Sequence, residues 1–316
     1  MSFDPAAARA ALPVLDWRAP AAPAGELPAY ARHYGLDALA GPGIRHGMGR
    51  IEAAGYRIAV QCWRHDDGAR GTVLVLHGYY DHIGIFDHVI AHLLALGFDV
   101  VAFDLPGHGL SSGAPAVVDD FATYQSVLQS VLAGLRESGL PSPWHVVAQS
   151  TGGAILMDYL LSQHRDGVAV PLSRVVLLAP LVRPVHWRTN RLLYHVMRPF
   201  RDAIPRKFAV NSHDADFLRF LRDEDPLQAR ELSTRWVGAM KRWIPRMEAH
   251  APSDFPLTIV QGDEDGTVDW RHNLGVIREK FPRADIHLVP GGRHQLANEA
   301  PPWRAQVLAV ITQTLS

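Results

Sequence analysis

The stretch VVAQSTGG, Val146–Gly153, runs four residues suited to a buried strand into a serine, with two glycines close behind. A strand that turns at once into a helix brings neighbouring chains close, so only small residues fit two positions before and two after the serine. Those positions hold Ala148 and Gly152, with Gly153 next. The usual form of such a turn is G-x-S-x-G, which leaves the serine hydroxyl bare at the top of a sheet. Alanine in place of the first glycine still meets the steric need. Taken alone, Ser150 could also be a helix N-cap, a role serine favours, so its partners elsewhere in the chain decide.

Working outward, eight segments read as strands: GRIEA, YRIAVQCW, TVLVLH, DVVAF, HVVAQ, RVVLLA, LTIVQ and DIHLV. The first two flank Ala54-Gly55 and predict a hairpin. The later ones are short and rich in Val, Ile and Leu, as parallel strands covered on both faces are. FDHVIAHLLALG, DDFATYQSVLQSVLAGLRESG and GGAILMDYLLSQH have helical spacing between them. The alternation predicts an α/β fold, an eight-stranded mostly parallel sheet with helices on both faces. It breaks once, in a strand-free stretch holding WRTNRLLYHVMRPF, DADFLRFL and LSTRWVGAMKRWIPRM. This predicts a helical cap or lid over 183–250, inserted into a core made of 46–182 and 251–316. Residues 1–45, rich in Ala and Pro, read as an extended arm with one short helix near AYARHYGLDAL.

Ligands of open parallel sheets bind beyond the carboxyl ends of the strands, where Ser150 falls. A serine hydroxyl needs a base, and the base an orienting acid. GDEDGTVD follows the strand LTIVQ, and PGGRHQLANE follows DIHLV, so both loops open on the edge that carries Ser150. His294 is the base candidate. Asp263, Asp265 and Asp269 compete for the acid. Two backbone N–H groups would hold an oxyanion: that of Thr151, after the nucleophile, and that of Tyr79, in the loop HGYYDH after the third strand.

These motifs resemble the α/β-hydrolases, and more narrowly their monoacylglycerol lipase and lysophospholipase branch. HGYYDH, FDLPGHGLSSG, AQSTGG, GDEDGTVD and GGRHQLANE stand in that family's order over residues 48–316. The resemblance implies Ser150 as nucleophile, His294 as base, and Tyr79 and Thr151 as oxyanion donors. It favours Asp265 as the acid, because GDEDGTV matches the family's G-x-x-D-x-x-V. The implied activity is carboxylic-ester hydrolysis through an acyl-enzyme, on monoacylglycerols, lysophospholipids or related acyl esters, with no cofactor and no metal. HGYYDH departs from relatives that carry smaller residues after HG.

Other signals weigh less. Asp104 and His108 in FDLPGHGLSSG read as structural, since no G-x-G-x-x-G opens a helix and no P-loop ending follows. His77, His82, His88 and His92 cluster, but without H-E-x-x-H. Trp187, Trp236 and Trp243 in the cap read as lining an acyl pocket, and the cap's basic-aromatic helices also suit transient contact with a membrane surface. An aminopeptidase of the same fold would need a carboxylate for the substrate amine, which Asp214, Asp216, Asp223, Glu224 or Asp225 would have to supply. A non-catalytic binding module is disfavoured by the intact serine and histidine, and an aspartate-nucleophile enzyme by serine at 150.

The 316 residues carry a formal net charge of -1 and 47% hydrophobic residues. That balance excludes the concentrated basic face of a nucleic-acid binder and supplies a sizeable core. One cysteine, Cys62, allows no internal disulfide. The start lacks a signal-peptide pattern and no window reaches the ~18 apolar residues of a membrane span, so the expectation is a soluble cytoplasmic protein.

Overall fold

The computed structural model describes residues 3–316. In chain order it contains α1 (Pro5–Ala11), α2 (Leu27–His33), β1 (Ile44–Ala53), β2 (Tyr56–His65), β3 (Thr72–Leu76), α3 (Asp87–Ala95) and β4 (Asp99–Phe103). There follow α4 (Phe121–Glu137), β5 (Trp144–Gln149), α5 (Thr151–Arg165) and β6 (Arg174–Leu178). The next part holds α6 (Trp187–Met197), β7 (Ala203–Pro205), α7 (Ala215–Arg219), β8 (Glu231–Ser233) and α8 (Thr234–Ala249). The chain closes with β9 (Thr258–Gly262), α9 (Trp270–Lys280), β10 (Asp285–Val289) and α10 (Pro301–Leu315).

Eight strands form one sheet in the order β1-β2-β4-β3-β5-β6-β9-β10. β1 and β2 pair antiparallel, as do β2 and β4; from β4 onward all pairs are parallel. Successive residues of the inner strands point to opposite faces. Val73 and Val75 join one apolar cluster with α3 and α10, while Leu74 and Leu76 join the other with α4, α5, α8 and α9. Because both faces are covered, these strands carry mostly apolar residues on either side, which is why they read as near-continuous apolar runs.

Two expectations are corrected. Residues 3–45 are not an extended arm with one short helix. Asp4 caps α1, with Pro5 fixing the first helical position. Phe3, Ala8, Leu12, Leu27, Tyr30 and Leu36 are buried against the sheet's α3 face. Arg50 N donates to the Pro13 carbonyl at 2.7 Å, Leu15 N donates to the Arg50 carbonyl, and Gln61 donates to the Tyr30 hydroxyl at 2.9 Å. The large apolar residues lie sparsely among alanines and prolines, so no periodicity showed the packing. The stretch 183–250 is also not strand-free: β7 and β8 pair antiparallel as a separate ribbon between α6 and α8. Three-residue strands are too short for alternation to show.

Candidate active site

Ser150 joins β5 to α5 with φ +50° and ψ −110°. A side chain rarely adopts that backbone, which costs on the order of 1–3 kcal/mol and persists only where the surroundings enforce it. The surroundings are tight. A Cβ on Gly152 would stand 2.7 Å from the His77 carbonyl oxygen and 2.8 Å from that of Leu76. Ala148 is fully buried between the clustered strands, and its methyl is accommodated.

His294 and Asp265 reach Ser150 from the loops after β10 and β9. His294 Nε2 lies 3.0 Å from Ser150 Oγ, and His294 Nδ1 lies 2.8 Å from Asp265 Oδ2. A carboxylate can only accept here, so Nδ1–H donates to Asp265 and Nε2 is left to accept from the serine hydroxyl. Asp265 Oδ1 accepts from the amides of Thr267 at 2.8 Å and Val268 at 3.1 Å, and Oδ2 also accepts from Gln261 Nε2. Burial alone would raise the Asp265 pKa, but the His294 charge and these hydrogen bonds outweigh it and hold the carboxyl below its ordinary value. Burial likewise pulls His294 down, and the Asp265 carboxylate overrides it, leaving the imidazole pKa raised. The rivals are occupied elsewhere. Asp263 accepts from Gly291 N at 2.7 Å, and Asp269 caps α9 and pairs with Arg183.

Tyr79 follows Gly78, which abuts the serine: a Cβ on Gly78 would stand 3.1 Å from Ser150 Cβ. Thr151 opens α5, whose first N–H groups point toward the site as at any helix start. The Tyr79 hydroxyl donates to the Ala116 carbonyl at 2.8 Å, and its ring stacks on Trp236 with centroids 3.7 Å apart. Two neighbours escaped the sequence reading. Gln149 Nε2 donates to the His294 carbonyl at 2.8 Å and its Oε1 accepts from Ala297 N, so the residue beside the serine clamps the histidine loop. Gln295 Nε2 donates to buried Asp81 at 2.8 Å, tying that loop to HGYYDH. Two glutamines inside the motifs carry no distinct sequence signal; only the fold brings one to the histidine loop and the other to Asp81.

A cavity of about 420 Å³ opens above Ser150 and His294. Trp187, Tyr194, Met197, Trp236 and Met240 give it apolar walls. No Asp or Glu lines it among the described residues; Arg206 and Lys207 do. Trp243 does not line it, contrary to expectation. Its ring stacks on Phe121 at 4.7 Å, fully buried where α8 meets α4, two turns along the same helix face from Trp236.

The clustered histidines have separate partners. His77 Nε2 accepts from Leu105 N, His82 Nε2 lies 2.9 Å from Asp225 Oδ2, His92 bonds Thr312, and His88 lies beside Asp87. Asp104 accepts from Ile83 N and Leu110 N and so shapes the loop after β4. His108 Nδ1 lies 2.9 Å from the Pro106 carbonyl in the same loop.

Three comparisons bear on this geometry. The family model for serine aminopeptidase, S33, matches residues 67–301. The human monoglyceride lipase is 31% identical over 262 residues, covering 79% of this chain and 84% of that protein. The monoacylglycerol lipase of Mycolicibacterium smegmatis is 27% identical over 262 residues, covering 78% and 88%. The solved structure of a soluble variant of the Saccharomyces cerevisiae monoglyceride lipase, in complex with a substrate analog, superposes with a TM-score of 0.70 at 20% identity, over 84% of this chain and 92% of that one. The sheet order, the strained serine turn and the match over residues 67–301 lead to one conclusion: the chain belongs to the serine aminopeptidase S33 family of α/β-hydrolases.

Proposed function

We propose that the protein is a serine ester hydrolase of monoacylglycerols, and that Ser150, His294 and Asp265 form its catalytic triad. The observation that carries this is the hydrogen-bonded chain from Ser150 through His294 to Asp265 at the floor of an apolar cavity. Ser150 Oγ attacks the ester carbonyl carbon while its proton passes to His294 Nε2. Asp265 stabilises the imidazolium without taking its proton. The Tyr79 and Thr151 amides hold the tetrahedral oxyanion. Collapse breaks the acyl C–O bond, and His294 returns the proton to the departing glycerol oxygen. Water then attacks the acyl-enzyme by the same steps in reverse order and frees the fatty acid.

The relatives described as monoacylglycerol or monoglyceride lipases support this substrate class. The aminopeptidase alternative has the family description behind it, but a peptide's ammonium group would meet Arg206 and Lys207 and no lining carboxylate. Turnover of a 1-monoacylglycerol series tests the reading. Burial is worth about 0.8 kcal/mol per methylene, so kcat/KM should climb by roughly 4-fold per added CH₂ and stop once the cavity is full. Hydrolysis of aminoacyl anilides with no hydrolysis of any acylglycerol would replace this reading with the peptidase one.

The same proposal places α6 against a lipid surface. Leu192, Val196 and Phe200 form an outward stripe, 67%, 57% and 82% exposed, flanked by exposed Arg188, Arg191, Arg198 and Arg201. An apolar stripe edged with arginines suits the interface of an anionic membrane. Replacing all three apolar residues with serine should weaken flotation with phosphatidylglycerol vesicles and spare turnover of a soluble ester; undiminished flotation would remove the membrane from the proposal. Among the described residues no helix is long and apolar enough to cross a membrane. A cytoplasmic location, which cell fractionation tests, belongs to the same reading.

A further inference from the structure

Arg206 stands out among the arginines of the cap. Arg235 pairs with Asp119 and Arg246 with Asp120, as exposed arginines commonly do. Arg206 is largely withdrawn from water, and among the described residues no carboxylate forms an ion pair with it. Its guanidinium carbon lies 3.9 Å from the centre of the Tyr80 ring and 4.4 Å from that of Phe208. Rings cover the faces of a guanidinium and leave its hydrogen-bond donors, which lie in the plane, to be matched at the edges. One edge is matched: Nη1 donates to Gln228 Oε1 at 2.7 Å and to the Ala229 carbonyl at 3.2 Å. Nε and Nη2 donate to no group of the described chain, and the residue lines the cavity above Ser150. Burial pushes the pKa of this group down, the mark of a cation whose lost hydration is not fully replaced.

The support behind Arg206 is fixed in turn. Gln228 Nε2 donates to Asp225 Oδ2 at 2.9 Å, which forces its Oε1 toward Arg206. Asp225 is buried and is held by His82 Nε2 at 2.9 Å, by the Tyr34 hydroxyl at 2.7 Å and by Leu227 N. One chain of contacts therefore runs from the N-terminal segment and the HGYYDH loop through the cap to the guanidinium. A residue held this way keeps its open fork aimed without losing side-chain freedom on binding. The buried Asp81 carboxylate attracts it from beyond ion-pair distance, and among the described residues no carboxylate lines the cavity.

Resting on the ester-hydrolase reading above, we propose that Arg206, with Lys207 beside it in the cavity wall, is a subsite for an oxyanion on the substrate, and that this oxyanion is the phosphate of a monoacylglycerol phosphate. A bidentate fork suits two oxygens of one anion, and a second cation favours a phosphate monoester, close to a dianion at neutral pH, over a carboxylate. The substrate class is then an anionic lysophospholipid in preference to a neutral monoacylglycerol.

The experiment compares kcat/KM for 1-oleoylglycerol 3-phosphate and 1-oleoylglycerol in the same neutral detergent micelles. The full chain is used, as wild type, Arg206→Gln and Arg206→Lys. The wild type should prefer the phosphate ester, and Arg206→Gln should lower that preference by about 10- to 100-fold, the range for losing a hydrogen bond to a charged group. Arg206→Lys should fall between, since it keeps the charge and loses the fork. A second measurement needs no variant: glycerol 3-phosphate should compete with a soluble ester on the wild type, and glycerol should not. Equal losses on both substrates would show that Arg206 only braces the cap and would overturn the subsite. No phosphate preference, together with inhibition by oleate that Arg206→Gln relieves, would overturn the phosphate assignment in favour of a carboxylate. Failure to hydrolyse either acylglycerol would overturn the ester-hydrolase reading itself.

Discussion

Ser150→Ala should abolish ester hydrolysis while the protein stays folded. The hydroxyl removed is the atom facing His294 Nε2. What remains would be the oxyanion donors and the binding cavity, which in comparable sites leave roughly 10³–10⁴-fold acceleration over water. A fluorophosphonate probe should label wild type at Ser150 and leave the variant unlabelled; persistent labelling of the variant would mean that another serine is the nucleophile. The backbone provides a second readout. Alanine at 150 inherits the strained φ of +50°, whereas glycine would not. Ser150→Gly should therefore be as inactive as Ser150→Ala yet more stable to thermal unfolding, by about 1 kcal/mol or more. An enzyme that is stabilised when its nucleophile is removed stores backbone strain at its active site.

That strain also explains what could be read from the sequence. A turn so tight restricts its neighbours to small residues, and the restriction is visible as Ala148, Gly152 and Gly153 around Ser150. The buried strands were legible for a related reason: coverage on both faces demands mostly apolar residues, so β3 and β4 fall on the segments TVLVL and DVVAF. From the loop residues alone the acid was legible as a set of three, and the family resemblance favoured Asp265. Asp263, Asp265 and Asp269 share one loop, and the choice among them depends on which carboxylate turns inward, a property of the folded loop.

Other parts left no local trace. The N-terminal segment packs through residues spaced too irregularly to form a stripe. Trp236 and Trp243 both sit on α8, seven residues apart, yet one walls the cavity and the other packs on Phe121. A helical face can be read from spacing, but whether it looks onto a cavity or a core depends on the opposing surface. Arg206 is hidden in the same way. The cap holds many arginines, several of them without an ion pair, and only the contacts show which one is drawn in between two rings beside the cavity.

The contacts of Asp265 also predict how its loss will act. Asp265→Asn should lower kcat by about 10⁴, through the tautomer of His294. The amides of Thr267 and Val268 donate to Oδ1, so an asparagine must keep its carbonyl oxygen there. Its NH₂ group then takes the place of Oδ2 and donates to His294 Nδ1. The imidazole is driven to carry its proton on Nε2, where it cannot accept from Ser150. Asp263→Asn and Asp269→Asn, on residues bonded to Gly291 and Arg183, should each cost less than about 10-fold, the range for a change that leaves the reacting groups in place. The pH dependence separates this account from simple damage to the loop. The base must be neutral to take the serine proton, and Asp265 holds the His294 pKa above its ordinary value of 6.5. Wild-type kcat/KM should therefore be low in acid and rise with pH through an apparent pKa above 6.5. In Asp265→Asn the carboxylate that raises this pKa most is gone, Asp81 still raises it to a lesser degree and burial still lowers it, so the residual activity should rise at lower pH than in wild type. A rising limb that stays in place, or an Asp263→Asn variant as crippled as Asp265→Asn, would show that the carboxylate acting on His294 is not that of Asp265.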